Sequence, residues 1–209
     1  MSAHEVVVIW TASLNAKASL AVADVKGYQV GTPGKAEAFA AEAVEVSGAE
    51  CVPLGCAVAG AAVGKPAAVT HRRVTGDGGG GTAEEAAVDI NTGMVTLASY
   101  ASADDAAAAL KSVGEAVTPC GGGIDWTAGD EKLAVGKVVK HTAPQGGAEA
   151  VAFTAVTAVD GVDAPWKVVV FRQGATLAHF TVANAGSLVS GEDFAFPAAL
   201  VSAQADRPA

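Results

Sequence analysis

The chain has 209 residues, enough for one sizeable domain with its own core. Hydrophobic residues make up 51% of it and aromatic ones only 5%, so the core has to be assembled mainly from Val, Ala and Leu. A formal charge of −9 excludes a surface built to neutralise nucleic-acid phosphates or to dock on anionic lipid headgroups, and no uninterrupted apolar run approaches the roughly 18 residues that a bilayer span requires.

The opening residues, MSAHEVVVIWTASLNAK, hold a short apolar stretch from Val6 to Trp10. They lack a basic leader and a long apolar region before a small-residue cleavage site, so as it stands the stretch does not read as a secretory signal. Residues 1–12 are read as an N-terminal extension and 13–207 as a single domain. After Ser13, an N-cap type, Leu14, Ala18, Ala21, Val22 and Val25 recur at helical spacing. GYQVGTPG reads as a brief strand that ends in turn residues. Segment 35–48 is alanine-rich and acidic without a clean period and receives no assignment. CVPLGCAVAG predicts a helix starting near Pro53 and stopping around Gly60.

From Pro66 the period changes to two. AAVTHRRVT and AAVDINTGMVTLASY are expected strands bracketing a long loop, GDGGGGTAEE. SADDAAAALKSVGEAV opens with a capping box, Ser102 and Asp105, and carries Ala106, Ala109, Leu110, Val113 and Val117 on one face. Pro119 ends that helix, with Cys120 just beyond. Four strands follow, KLAVGKVVKHT, AEAVAFTAVTAVD, APWKVVVFR and ATLAHFTVAN, joined so briefly that they form an antiparallel meander. FPAALVSAQADR closes the chain as a helix. The expected class is α+β: a meander-rich antiparallel sheet with helices packed on one face.

Motifs that carry chemistry are sparse. Gly76, Gly78 and Gly81 have G-x-G-x-x-G spacing, but no buried strand and helix flank them as a dinucleotide site needs, and the segment reads as a flexible hairpin loop. His4, His71, His141 and His179 are scattered, no nucleophile elbow exists, and the acidic pairs lie at helix starts or in loops. No cofactor or metal is expected. Cys51, Cys56 and Cys120 have poor spacing for zinc. They are either three buried thiols or one bridge with a thiol left over. A Cys51–Cys120 bridge would close a loop of 69 residues, about 4 kcal/mol in the chain-entropy model, and suits an oxidising compartment.

KVVVFRQGATLAHFTVAN, residues 167–184, is a predicted hairpin. With Gln173 and Gly174 as the turn, Arg172 faces Ala175 and Val168 faces His179. Val168, Val170, Arg172, Leu177 and His179 then share one face, and Val169, Phe171, Ala178, Phe180 and Val182 the other. Both faces are largely apolar. Arg172 either snorkels to water at the turn or, with His179, lines a groove over the sheet and meets an acidic group of a ligand.

ADVKGYQV, AECVPLGCAVAG, VTPCGGG, GDEKLAV, VVVFRQGATLAHFTVAN and FPAALVSAQ together resemble the exported sensor-type domains and lipoproteins of actinobacteria, similar to the extracellular sensor domain of PknH-like receptor kinases. The resemblance implies an extracytoplasmic domain and a mixed sheet with helices forming a cleft. It also implies a disulfide between Cys51 and Cys120, with Cys56 free. The residues show no second cysteine pair, kinase domain or membrane anchor of the kind those sensors carry, so a stand-alone secreted protein or lipoprotein is expected. The expectation is a non-enzymatic binding or sensor-type domain, extracellular or in the cell envelope, that holds a small molecule or an envelope protein through Arg172 and His179. The alternatives are an enzyme or chaperone-like protein using the same cavity, with Arg172, His179 and a loop acid such as Asp130, or a purely structural envelope protein.

Overall fold

The computed structural model describes residues 17–21, 24–78, 89–145, 149–159 and 161–207. Among them are nine strands: β1 (Tyr28–Gly31), β2 (Val44–Val46), β3 (Ala68–Gly76), β4 (Asn91–Ser99), β5 (Ile124–Ala128), β6 (Glu131–His141), β7 (Glu149–Val159), β8 (Val162–Gln173) and β9 (Thr176–Asn184). They form one sheet in the order β1-β3-β4-β9-β8-β7-β6-β5-β2, and every neighbouring pair is antiparallel. Four α-helices lie wholly within the described residues: α1 (Val52–Val58), α2 (Ala103–Ala116), α3 (Ala185–Ser190) and α4 (Ala198–Ala205). None of them is long and apolar enough to cross a membrane.

The expected meander is β6 to β9, extended by β5, which the sequence reading passed over. Ile124, Trp126 and Ala128 are its buried positions and alternate with Asp125 and Thr127, a period-two signal that lies in the residues themselves. Residues 13–16, 22 and 23 of the helix expected over 13–25 lie outside the described residues, as does the glycine loop beyond Gly78. Where the first is described, Lys17 and Ala18 are helical and the chain has left the helix by Leu20.

In the β8–β9 hairpin the turn is Gly174–Ala175, one residue later than expected, so Gln173 pairs with Thr176 and Val170 with His179. The physical reason is Gly174, whose φ of +57° belongs at the first central position of a two-residue hairpin turn. Each partner therefore moves by two residues, and a two-residue slip keeps every side chain on its face. Val168, Val170 and Leu177 join one core with α1 and α2. Val169, Phe171, Ala178, Phe180 and Val182 join a second with Leu200 and Val201 of α4. Helices thus lie on both faces, not on one as the sequence reading had it, because a strand apolar on both sides has to be covered twice.

Local chemistry sets the helix ends. Ser102 Oγ accepts from the backbone N–H of Asp105 at 3.1 Å and donates to its carboxylate at 2.7 Å, which caps α2. The end of α1 is a Schellman turn: Gly60 has φ +69°, and the N–H of Ala61 reaches the Cys56 carbonyl at 2.9 Å. Cys51, which precedes α1, is bonded to Cys120, just after α2, so the bridge ties the start of one helix to the end of the other. On the opposite face Gln204 of α4, 1% exposed, donates to Ala18 O at 2.9 Å and accepts from Leu20 N at 3.1 Å, which docks the N-terminal segment beside the C-terminal helix.

Cys56 is buried in the same core with a free thiol, and burial pushes its pKa up to about 11. A thiol reagent is expected to modify no cysteine in the native protein and one after unfolding without reductant, read by intact mass. Replacing both bridged residues, Cys51→Ala with Cys120→Ala, is expected to cost about 2–5 kcal/mol in urea unfolding.

Candidate functional site

Helices α1 and α2 leave part of their sheet face uncovered. Beyond the C-terminus of α1 a cavity of about 260 Å3 opens over Met94 of β4, Thr181 of β9, Trp166 of β8, Leu133 of β6 and Trp126 of β5. Val58, Ala59 and Gly60 form its helical wall, Arg73 of β3 stands at one side, and Glu37 and Phe39 close it from the β1–β2 connection. On a flat sheet β3 and β5 would lie six strand spacings, about 29 Å, apart. Since both line a single cavity of this size, the sheet coils around its helical face.

That coil explains residues 35–43 of the unassigned stretch 35–48, the rest of which holds β2. Strands β1 and β2 are the two edges of the sheet, so the residues joining them cross its concave mouth as a strap. Besides the packing of Ala41 against the core, two contacts hold the strap. Glu37 Oε1 accepts from Arg73 Nη1 at 3.3 Å, while Oε2 accepts from Gly34 N at 2.7 Å. Two residues later, the Phe39 ring meets the Trp126 indole edge-on, with centroids 6.4 Å apart.

The cavity floor depends on a close backbone approach. An ideal Cβ on Gly93 would strike the Thr181 carbonyl oxygen, so this crossing of β4 and β9 excludes a side chain. Thr181 Oγ1 donates to Ala57 O at 2.7 Å and Thr96 Oγ1 to Gly60 O at 2.5 Å, so the sheet grips the last turn of α1 from below. Since the Thr96 hydroxyl proton is engaged, it accepts from His71 Nδ1 at 2.9 Å, which places the His71 proton on Nδ1. The ionisable groups of the lining are Glu37 and Arg73, and they neutralise each other.

No protein-family model matches the chain, and no curated protein does. Among solved structures, the extracellular domain of PknH from Mycobacterium tuberculosis is similar, with a TM-score of 0.48 and 10% sequence identity over 86% of this chain and 80% of that one. That likeness is too slight to transfer a role.

The residues singled out from the sequence stand elsewhere. Arg172 pairs with Glu149 at 3.1 Å and donates to Gly174 O; it lies six residues along β8 from Trp166, about 20 Å away. Asp130 is an exposed residue in the β5–β6 turn. His179 is 1% exposed, between Thr96 and Val170 on the neighbouring strands; it shares a sheet face with Thr181, two residues on, but does not line the cavity. Trp126, Trp166 and the strap were missed, although two of the three tryptophans in so aromatic-poor a chain fall on one face. Among the described residues no cluster of three His, Cys, Asp or Glu side chains is placed to hold a metal.

Neither ring nitrogen of His179 has a protein hydrogen-bond partner. Burial, and then the nearby His71, push its pKa down to about 3. In the unfolded chain the imidazole takes a proton near its ordinary 6.5, whereas the folded one refuses it down to about 3. The unfolded state therefore binds more protons between these values, and stability falls as pH drops through that window. Relative to a His179→Gln variant, the wild type is expected to lose about 1.4 kcal/mol per pH unit below pH 6, measured by urea unfolding at pH 7, 5 and 4.

Proposed function

We propose that the protein is a non-enzymatic, extracytoplasmic binding domain that holds a small, largely apolar molecule in the cavity between the end of α1, the strap and the coiled sheet. The observation that carries this reading is the lining. Phe39, Trp126 and Trp166, with Leu133, Met94 and Val58, surround one space in a chain whose aromatic content is 5%. Concave, mostly apolar sites with a few polar groups at the margin are how proteins hold small ligands. A lining whose charges pair with each other is suited to holding a ligand rather than converting it.

The bridge between Cys51 and Cys120 supports an oxidising compartment, since such bonds persist outside the reducing cytosol. In this reading His179 supports the floor as the neighbour of Thr181 on the same face of β9, and Arg172, paired with Glu149, stands at the turn end of the hairpin.

Thermal unfolding with small molecules extracted from the envelope fraction tests the proposal. A ligand at about 100 times its Kd adds about 2.7 kcal/mol, a rise in Tm of roughly 5–10 °C for a chain of this size. Ala59→Phe, which fills the cavity from its helical wall, is expected to keep the fold and abolish the rise. A rise that survives in Ala59→Phe, or a wild type that retains no compound, would sink the reading.

A further inference from the structure

We infer that the cavity selects small amphiphilic acids, molecules with one anionic head and a short apolar body, and that the head takes Arg73 away from Glu37. The inference rests on the cavity being a binding site and concerns what it accepts. Its starting point is that the two members of the Arg73–Glu37 pair are not equally fixed. Arg73 stands on β3, paired to Gly31 of β1 on one side and Met94 of β4 on the other. Glu37 stands on the strap, outside the sheet. When the strap lifts, the carboxylate goes with it while Arg73 remains anchored to the sheet at the side of the cavity, so the group that replaces Glu37 has to be an anion.

The pair is built to be exchanged. Arg73 meets Glu37 through one nitrogen, Nη1, at 3.3 Å, and the two side chains are 52% and 44% exposed. Ion pairs so open to water are weak. A carboxylate or phosphate head engages a guanidinium through two parallel hydrogen bonds, which is stronger and directional. Glu37 is not stranded by the exchange, because its Oε2 already accepts from Gly34 N within the strap.

The second hold of the strap has the same character. Phe39 touches Trp126 edge-on, an apolar contact that the body of the ligand replaces as it enters beside Trp126 and Trp166. Each grip of the strap thus mimics one half of the ligand: a carboxylate on Arg73 and a hydrocarbon ring against the indole. Head and body enter together because Glu37 and Phe39, two residues apart, leave together.

Octanoate and octan-1-ol, equal in chain length and different in charge, test this against tryptophan fluorescence in the full chain carrying Trp10→Phe, which leaves Trp126 and Trp166 as reporters. Octanoate is expected to give a saturable change with at least tenfold tighter Kd than octan-1-ol. Arg73→Gln is expected to erase that difference while leaving octan-1-ol binding as it was, which also shows the variant folded. Glu37→Gln is expected to tighten octanoate several-fold and leave octan-1-ol unchanged. Equal affinity for acid and alcohol in the wild type would overturn the selection of an anion while the cavity reading stands. Weaker octanoate binding in Glu37→Gln would overturn the exchange. No saturable response to either probe, from protein shown to be folded by circular dichroism, would overturn the inference and the cavity reading together.

Discussion

All nine residues of β9 are buried, and this constraint organises the rest of the molecule. A strand in that position needs a hydrogen-bonded neighbour on each side and a cover on each face. The neighbours are β4 and β8. The covers are two separate cores, one holding α1 and α2 and the other α4 with the segment around Leu20. The edges of the sheet are its two shortest strands, of four and three residues, which limits the length of unpaired backbone open to another chain.

The cavity follows from a mismatch between those covers and the sheet they lie on. Helix α1 is only seven residues long, roughly 10 Å, whereas the strands beneath it run to nine and more. Coiling brings the uncovered ends of β3 to β5 toward one another, and the connection between the two edge strands closes what remains. A cavity lined by six strands, a helix end and a loop thus arises without any one element being specialised for it. The bridge at the head of α1 and the threonine hydroxyls under its tail fix the helical wall from both ends.

Much of the fold was legible because its signals are local. The box of Ser102 and Asp105 with a clean apolar stripe marked α2, and alternation broken by short turns marked β6 to β9. The two faces of the last hairpin were assigned correctly even though its turn was misplaced by one residue, since the slip between the strands is even. Other features depend on where distant segments meet. The terminal helix reads as a helix, but its choice of face is made by Gln204 finding Ala18 and Leu20. Three thiols or a bridge remained open until Cys51 and Cys120 were seen with Cα atoms 5.9 Å apart. Trp126 was overlooked because β5 is five residues long, and its meaning depends on the coil, which no local pattern encodes.

The pairing of β4 with β9 also bears on how the chain reaches this state. These strands lie side by side from Asn91 opposite Asn184 to Ser99 opposite Thr176, so the ladder joining the two halves of the sheet spans most of a hundred residues of chain. Contacts of such long sequence separation are closed late and at an entropic cost. During synthesis the first hundred residues therefore have β1, β3 and β4 but not the strand that completes their pairing, and the meander cannot supply it until its last member is made. The sheet has no half that is finished before the whole, and its commitment to fold waits for β9.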